Sequence, residues 1–327
     1  MQVNDVFITR RIFPEAKEKL KGAGIAYDIN DTGEILDKEE LLKGLEGKDG
    51  LICLLNDEIN PEVLDASSDL EIVANLGVGY DNIDLGAATE RGIMVTNTPG
   101  VLTETTADLS FGLLLAAARR IPEADSFVRE GNWEGWELIQ PQQGVDVHGK
   151  TLGVVGMGRI GSSVARRGHF GFDMDVLYHS RTRKEDLEDE LGAEYVELDR
   201  LLRKSDFVSI HTPLTQETEG MIGEKELKLM KKDAILVNVA RGPVVDEPAL
   251  VEALKSGEIR GAGLDVFDEE PEVHPGLKGL KESVVLAPHI GSASRETRME
   301  IAEIGVKNAI AALIGEEPPN LINPEVL

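Results

Sequence analysis

The sequence predicts an α/β protein built from two doubly wound parallel-sheet domains. Three observations lead there. Residues 6–97 alternate short apolar strands with helices. The alternation resumes at Lys150 and runs to Ala287. At the start of that second run, residues 151–161 read TLGVVGMGRIG, a strand that turns into a helix through closely spaced glycines. Continuous apolar strands separated by helices belong to parallel sheets covered on both faces. A chain of 327 residues is long enough for about two such domains.

In chain order, the first domain opens with a strand at 6–9 and a helix at 14–21. The apolar run 50–55 is a strand, and 61–66 a helix opened by Pro61, whose missing N–H costs nothing at that position. A strand at 71–76 leads into Gly77-Val78-Gly79-Tyr80-Asp81, followed by a helix at 83–91 and a strand at 93–97. Thr98-Pro99-Gly100 breaks the pattern. Residues 104–119 form a helix that is almost wholly apolar over 109–118, so it is buried on most sides. Its place between the two βα runs suggests that it crosses from one domain to the other. Residues 122–143 are less regular and hold both tryptophans, Trp133 and Trp136, which suits a subunit contact. The second domain has strands at 152–155, 174–178, 207–211, 234–239, 261–266 and 284–287, with helices such as 224–230 and 247–256 between them. Crossovers of this kind are right-handed and wind the sheet doubly. A last helix at 295–314 carries Ile301, Ile304, Ala309, Ala312 and Leu313. The Pro-rich tail 318–327 reads as a strap returning to the first domain. That domain is then discontinuous, residues 1–98 with 290–327, and the second spans 99–289.

Composition narrows the function. Hydrophobic residues make up 41 % of the chain and aromatics only 4 %, so the cores are aliphatic. No apolar run approaches the ~20 residues of a membrane span. The N-terminus lacks a charged segment followed by an apolar core, so no signal peptide is expected. The single cysteine, Cys53, excludes an internal disulfide and reads as a small buried hydrophobe. A cytoplasmic protein is expected. The formal charge of −26 argues against nucleic acid, whose backbone is neutralised by Lys and Arg. No Cys, His or carboxylate spacing suggests a metal site.

The glycine turn carries the first functional reading. Gly156-Met157-Gly158-Arg159-Ile160-Gly161 is G-x-G-x-x-G between a strand and a helix. Gly156 permits the sharp turn, Gly158 lets a pyrophosphate approach the backbone, and Gly161 lets the helix pack on the sheet. The helix N-terminus offers N–H groups and partial positive charge to the phosphates. A dinucleotide site follows. Its ribose end lies past the strand 174–178, where an enzyme selecting NAD usually has an acid. Here the chain reads His179-Ser180-Arg181-Thr182-Arg183-Lys184, with no acid before Glu185. Ser180 and Thr182 can donate to a 2′-phosphate and Arg181 can pair with its charge. NADP(H) is therefore expected to be preferred, with NAD(H) usable.

Ligands of open α/β sheets lie at the carboxyl ends of the strands. The residues there are Val78-Gly79, Ser180-Arg181-Thr182, His211-Thr212-Pro213, the run Asn238-Val239-Ala240-Arg241-Gly242, Asp265 with Glu270, and His289. A nicotinamide enzyme acting on a 2-oxo acid needs an Arg to grip a carboxylate, a His to give a proton, and a Glu to favour the protonated imidazole. Arg241, His289 and Glu270 answer that need. Each has a plainer reading: a guanidinium on helix-end carbonyls, a loop histidine, and part of the solvated acidic run Asp268-Glu269-Glu270.

Together the motifs resemble the D-isomer-specific 2-hydroxyacid dehydrogenase family over nearly the whole chain. They are NLGVGYDNID at 75–84, TNTPGVLTETTAD at 96–108, GKTLGVVGMGRIG at 149–161, VNVARGPVVDEPAL at 237–250, GLDVFDEEP at 263–271 and APHIGSAS at 287–294. The resemblance implies two Rossmann-like domains around a cleft, residues 1–98 with 290–327 binding substrate and 99–289 binding the dinucleotide, in a homodimer. It implies that Arg241 binds the substrate carboxylate and carbonyl, and that Glu270 pairs with His289, the proton donor. Backbone N–H groups of Val78 and Gly79 would hold the carboxylate, with Leu54 and Leu55 lining the pocket, Ser292 touching substrate and Trp136 reaching the neighbouring subunit's site. For cofactor it implies Thr106 near a phosphate and Gly156 with Gly158, Arg159, Ile160 and Gly161 at the pyrophosphate. Further cofactor contacts fall to His211 and Pro213, to Val239, Ala240 and Arg241 at the nicotinamide ribose, to Asp265 at the carboxamide, and to His289 and Gly291. SRTRK at 180–184 and GNWEGW at 131–136 are most similar to glyoxylate/hydroxypyruvate reductases. That implies NAD(P)H-dependent reduction of glyoxylate, and of hydroxypyruvate to D-glycerate. A broad 2-oxoacid or 2-ketogluconate reductase and a non-catalytic dinucleotide sensor are the alternatives.

Overall fold

The computed structural model describes residues 4–327. The first three residues, part of the N-terminal stretch inspected for a signal peptide, lie outside it. The chain divides into two compact units, Met1–Leu102 with Ala293–Leu327, and Thr103–Ser292. Both boundaries fall a few residues beyond those expected from the sequence.

Unit 1 is a five-stranded parallel sheet in the order β2-β1-β3-β4-β5, with β1 (Asp5–Ile8), β2 (Ala26–Ile29), β3 (Gly50–Cys53), β4 (Ile72–Asn75) and β5 (Met94–Thr96). Successive side chains of a strand point to opposite faces. Val6, Ile8, Ile52, Ile72 and Ala74 therefore share a face, packed on Leu20 of the helix Pro14–Gly22 and on Val306, Ala309 and Leu313 of the helix Arg295–Leu313. Phe7, Leu51, Cys53, Val73 and Val95 fill the other face with Leu41, Leu45 and Val63. The last helix sits close because of Gly305, where a Cβ would lie 2.1 Å from the Leu76 side chain. The tail is a strap on the same unit. Leu321 bridges Thr96 antiparallel, and buried Asn323 accepts from Val95 N–H at 2.8 Å and donates to the Ile93 carbonyl at 2.9 Å.

Two elements of unit 1 were not expected. β2 reads Ala-Tyr-Asp-Ile and is a half-exposed edge strand, so it lacks the apolar run used to find strands. The helix Lys38–Leu45 is short and polar on most of its surface. It is opened by a capping box in which the Asp37 side chain accepts from Glu40 N–H and Glu40 accepts from Asp37 N–H.

Unit 2 is a seven-stranded parallel sheet in the order β12-β11-β10-β9-β6-β7-β8. Its strands are β6 (Thr151–Val155), β7 (Asp175–His179), β8 (Glu194–Tyr195), β9 (Phe207–Ile210), β10 (Ile235–Asn238), β11 (Gly261–Leu264) and β12 (Val284–Leu286). The order reverses between β6 and β9, which opens the crevice where such sheets take ligands. The helix Thr103–Ala118 lies wholly in this unit, so it does not cross between the two as expected. Its apolar length is explained by burial against the sheet. Ala107, Phe111 and Leu114 pack with Leu152, Val154, Ile235 and Val237, and a Cβ on Gly263 would lie 2.9 Å from Leu113 Cβ. The opposite face packs Val155, Val208, Ile210, Leu236 and Leu264 against Leu201, Leu250 and Val251. The stretch expected to be irregular begins with a helix, Ile121–Arg129. Among the described residues no helix is long and apolar enough to cross a membrane.

Candidate active site

β6 delivers the glycine turn to the crevice of unit 2. Gly156 has φ 96°, and a Cβ there would lie 2.7 Å from the backbone of His211, which follows the neighbouring β9. A Cβ on Gly161 would lie 2.1 Å from the Gly156 carbonyl oxygen. A Cβ on Gly158 would meet nothing within 4 Å. The first and last glycines are thus closed by the protein itself, and the middle one faces open space. Gly158 also caps the helix Arg159–Arg166 with no side-chain partner for its first N–H groups. Arg159 and Ile160 stand in that first turn. An uncapped helix start beside a bare backbone fits a pyrophosphate.

β7 leads into the run 179–184, expected from the sequence to lie at the ribose. Arg183 is taken by Glu188 at 2.6 Å, and the Tyr178 hydroxyl donates to the same carboxylate at 2.6 Å. The hydrogen bonds from Arg183 and Tyr178 pull the Glu188 carboxyl down to about 2. Arg181 and Thr182 are exposed and Ser180 is half-buried. Among the described residues Arg181 has no ion pair, so the two arginines of this run are in different states. After β9, the His211 Nε2 meets Ser209 Oγ at 2.8 Å while its Nδ1 is shut from solvent without a partner. Burial pushes this imidazole down to about 3, so it stays neutral. Pro213, two residues on, is exposed.

β10 to β12 lead into the residues expected to be catalytic. Past β10, Asn238 folds the turn back on itself: its Oδ1 accepts from Ala240 N–H at 3.0 Å and its Nδ2 donates to the Arg241 carbonyl at 2.8 Å. Val239 is buried beneath, and the Arg241 Nη1 donates to the Ala240 carbonyl at 2.8 Å. Past β11, the Asp265 carboxylate accepts from Ile290 N–H and from Gly291 N–H, each at 2.7 Å, and the Asp265 carbonyl accepts from His289 N–H at 2.9 Å. These bonds hold His289 at φ 51°, a left-handed conformation that costs a branched or ring side chain about 1–2 kcal/mol. Burial pushes the Asp265 carboxyl up despite the two N–H donors. Thr106, in the first turn of the helix Thr103–Ala118, donates to the Gly291 carbonyl at 3.2 Å, and Ser292 follows, half-buried.

His289 Nδ1 meets Glu270 Oε2 at 2.7 Å, and Glu270 Oε1 accepts from Phe267 N–H at 3.1 Å. Burial alone would raise the Glu270 carboxyl. The His289 hydrogen bond and charge, the Phe267 N–H and the Arg241 charge outweigh it and hold the group below its ordinary value. The His289 Nε2 has no partner among the described residues. With Nδ1 tied to a carboxylate, Nε2 is the ring nitrogen left open to a ligand.

Unit 1 carries the remaining expected residues. Asp57, buried, accepts from Leu54 N–H at 2.8 Å and from the Thr9 hydroxyl at 2.5 Å, which fixes the turn of Leu54 and Leu55 after β3. After β4, the Val78 carbonyl is taken by Asn97 at 2.8 Å and the Gly79 carbonyl by Asn75 at 2.7 Å. The N–H groups of Val78 and Gly79 have no partner among the described residues. Trp136 is 76 % exposed on unit 2, and no described hydrogen bond ties it to the residues above. The anchoring roles of Asn238 and Asp265 went unread in the sequence. A lone Asn or Asp after a strand carries no signal until the loops are folded.

A glycine turn open at its middle residue, with an Arg, a Glu–His pair and a buried Asp on the neighbouring strand ends, defines a dinucleotide-dependent oxidoreductase. A family model, D-isomer specific 2-hydroxyacid dehydrogenase, NAD binding domain, matches residues 111–291. The glyoxylate reductase of Thermococcus litoralis is 53 % identical, covering 98 % of this chain and 97 % of that one. A Thermus thermophilus structure superposes with TM-score 0.91 at 47 % identity, covering 97 % of this chain and 99 % of that one. The NADPH-dependent glyoxylate/hydroxypyruvate reductase of Sinorhizobium meliloti, in complex with NADP and malonate, superposes with TM-score 0.85 at 34 % identity over 99 % and 98 % of the two chains. The chain belongs to the D-isomer specific 2-hydroxyacid dehydrogenase family, and is an enzyme that works with a nicotinamide dinucleotide.

Proposed function

We propose that the enzyme reduces glyoxylate to glycolate, and hydroxypyruvate to D-glycerate, preferring NADPH and accepting NADH. The observation that carries this is the 2.7 Å contact of Glu270 with His289, which leaves Nε2 as the proton donor. The names of the similar glyoxylate reductases support the substrate class. When bound, the cofactor supplies the hydride. Arg241 grips the substrate carboxylate through its forked N–H groups. The resemblance to the family also assigns the Val78 and Gly79 N–H groups, Leu54, Leu55 and Ser292 to the substrate. His289 gives its Nε2 proton to the carbonyl oxygen as the carbon is reduced, and the neutral imidazole stays oriented by Nδ1–H donated to Glu270. Gly158 to Gly161 would hold the pyrophosphate, and Thr106, His211, Pro213, Val239, Ala240, Asp265 and Gly291 would hold the rest of the cofactor.

The NADPH preference rests on Arg181. Arg183 is occupied by Glu188, which leaves Arg181, Ser180 and Thr182 for a 2′-phosphate. A homodimer and a cytoplasmic setting complete the reading; exposed Trp133 and Trp136 support the first and the free buried thiol of Cys53 suits the second. The test is a panel of glyoxylate, hydroxypyruvate, pyruvate and 2-ketogluconate with each reduced cofactor, repeated with Arg181→Ala. The expected result is highest kcat/KM for glyoxylate and hydroxypyruvate with NADPH. Arg181→Ala is expected to cost NADPH about tenfold or more, in line with a charge-assisted contact of ~1.5–3 kcal/mol, and to leave NADH unchanged. Preference for NADH, or equal loss with both cofactors, removes the 2′-phosphate reading. Preference for 2-ketogluconate makes the enzyme a broader 2-oxoacid reductase.

A further inference from the structure

The helix Glu247–Ser256 starts beside the segment that carries Glu270, and its first residue is a carboxylate only 5 % exposed. Glu247 is not needed to cap its own helix. Asp246 does that, accepting from Ala249 N–H at 2.9 Å. Glu247 Oε1 instead accepts from Asp268 N–H at 2.9 Å. Burial raises its carboxyl, while the Asp268 N–H favours the charged form. That donor stands two residues before Glu270 in the chain. One buried carboxylate therefore holds the start of the turn that presents Glu270. The backbone just before that turn also supports Arg241. A Cβ on Gly242 would lie 2.0 Å from the Phe267 carbonyl carbon and oxygen, so the Arg241 turn rests directly on residues 267 and 268.

We propose that Glu247 is a positioning residue of the reaction, fixing the Asp268 end of the turn that carries Glu270, so that Glu270 meets His289 and Arg241 keeps its seat. The proposal rests on the reading of Glu270 and His289 as the proton-donating pair. Glu247 touches neither substrate nor cofactor and acts through the peptide it holds. Misplacing a reacting group by about 1 Å can cost ~10²-fold in rate, so a loosened turn is visible in kinetics. The titratable groups that act on Glu247 are Asp268 and His274. Glu219, Asp246 and Glu269 act on Asp268, while Arg241 and Asp265 flank the Glu270–His289 pair.

The experiment compares Glu247→Ala, Glu247→Asp and Glu247→Gln with Glu270→Gln in the full-length enzyme. It reads the pH profile of glyoxylate reduction, the Kd of the reduced cofactor by its fluorescence, and thermal unfolding. Glu247→Asp keeps the charge and shortens the reach, so it carries the test where the alanine variant does not fold. The expected result is a ~10- to 10²-fold fall in kcat for the Ala and Asp variants, with cofactor Kd near the parent's. The alkaline limb of both moves to lower pH, as it does in Glu270→Gln. Glu247→Gln, which keeps the reach and one acceptor oxygen, stays nearer the parent than Glu247→Asp. A parent-like kcat and pH profile in a folded Glu247→Asp overturns the proposal, and so does a loss that falls equally on cofactor binding in all three variants. If Glu270→Gln itself leaves the alkaline limb in place, the pairing fails and the proposal falls with it. If Glu270→Gln moves the limb and Glu247→Asp does not, the pairing stands and Glu247 alone is demoted.

Discussion

His289 shows how much of the site is set by a single backbone angle. At φ 51° its ring turns toward Glu270, and three hydrogen bonds to Asp265 keep it there. Asparagine tolerates this conformation better than most residues, so His289→Asn removes the proton and spares the loop. The expected outcome is a fall in kcat of ~10²–10⁴, the usual worth of a general acid, with cofactor Kd unchanged; single-turnover kinetics with fluorescence titration check it. Glu270 is proposed to set the pH range. Burial would raise its carboxyl, but the His289 hydrogen bond and charge hold it below its ordinary value. On the proposed role of His289, reduction needs the imidazolium, and losing the neighbouring carboxylate disfavours that form. Glu270→Gln is therefore expected to move the alkaline limb of kcat/KM to lower pH, measured from about pH 5 to 10. An unmoved limb assigns the limb to another group.

At the scale of the element, the strand-to-helix turn at β6 depends on closeness. The helix Arg159–Arg166 presses on Gly156 so tightly that Gly161→Ala drives a methyl into the Gly156 carbonyl. The helix must back away, which costs about 1–3 kcal/mol and moves the N–H groups offered to the phosphates. Weaker binding of both cofactors is expected, with a lowered Tm and an unchanged far-UV spectrum, checked by titration and thermal melts. This turn was plain in the sequence because its glycines answer steric needs that no other residue meets. The ends of β10 to β12 were legible for a related reason: strands were found by apolar runs, and Arg241, Glu270 and His289 are the chemically able residues that follow them. Other elements left weaker traces. β2 is an edge with one face in solvent, and the helix Lys38–Leu45 announced itself only by the Asp37–Glu40 capping box. Glu247 was invisible as a site residue, because a Glu at a helix start is usually there for the helix dipole. Only the folded turn shows that it serves another segment.

At the scale of the whole molecule, unit 2 displays Trp133, Trp136, Leu138 and Ile139 at 58 % exposure or more. Indoles left in water at such levels are uncommon on a surface with no partner, and an aromatic anchor is what interfaces are built around. The expected state is a dimer by light scattering. Trp133→Glu with Leu138→Glu is expected to yield a monomer whose unit 2 still binds cofactor, whereas a monomeric parent enzyme ends the idea. The sequence located this stretch by its two tryptophans but not its shape, since aromatic content says nothing of the helix Ile121–Arg129 that precedes it. The packing of the last helix on the first sheet was only an expectation in the sequence, and the contacts of Val306, Ala309 and Leu313 show it.

That returning helix also sets the order in which the protein is finished. Unit 1 begins the chain and ends it, while unit 2 lies wholly between. During synthesis the residues of unit 2 are all in place before Arg295 is made, and domains generally fold as units once their residues are available. The strands of unit 1 emerge first, yet Val6, Ile8, Ile52 and Ile72 wait for Val306, Ala309 and Leu313 to cover them. The nascent chain therefore carries an open apolar sheet face through the making of nearly two hundred further residues, a count that follows from the span Thr103–Ser292. The unit begun first is the unit completed last, and a chain cut short before its final helix is a finished dinucleotide domain tethered to a sheet with one face only partly covered.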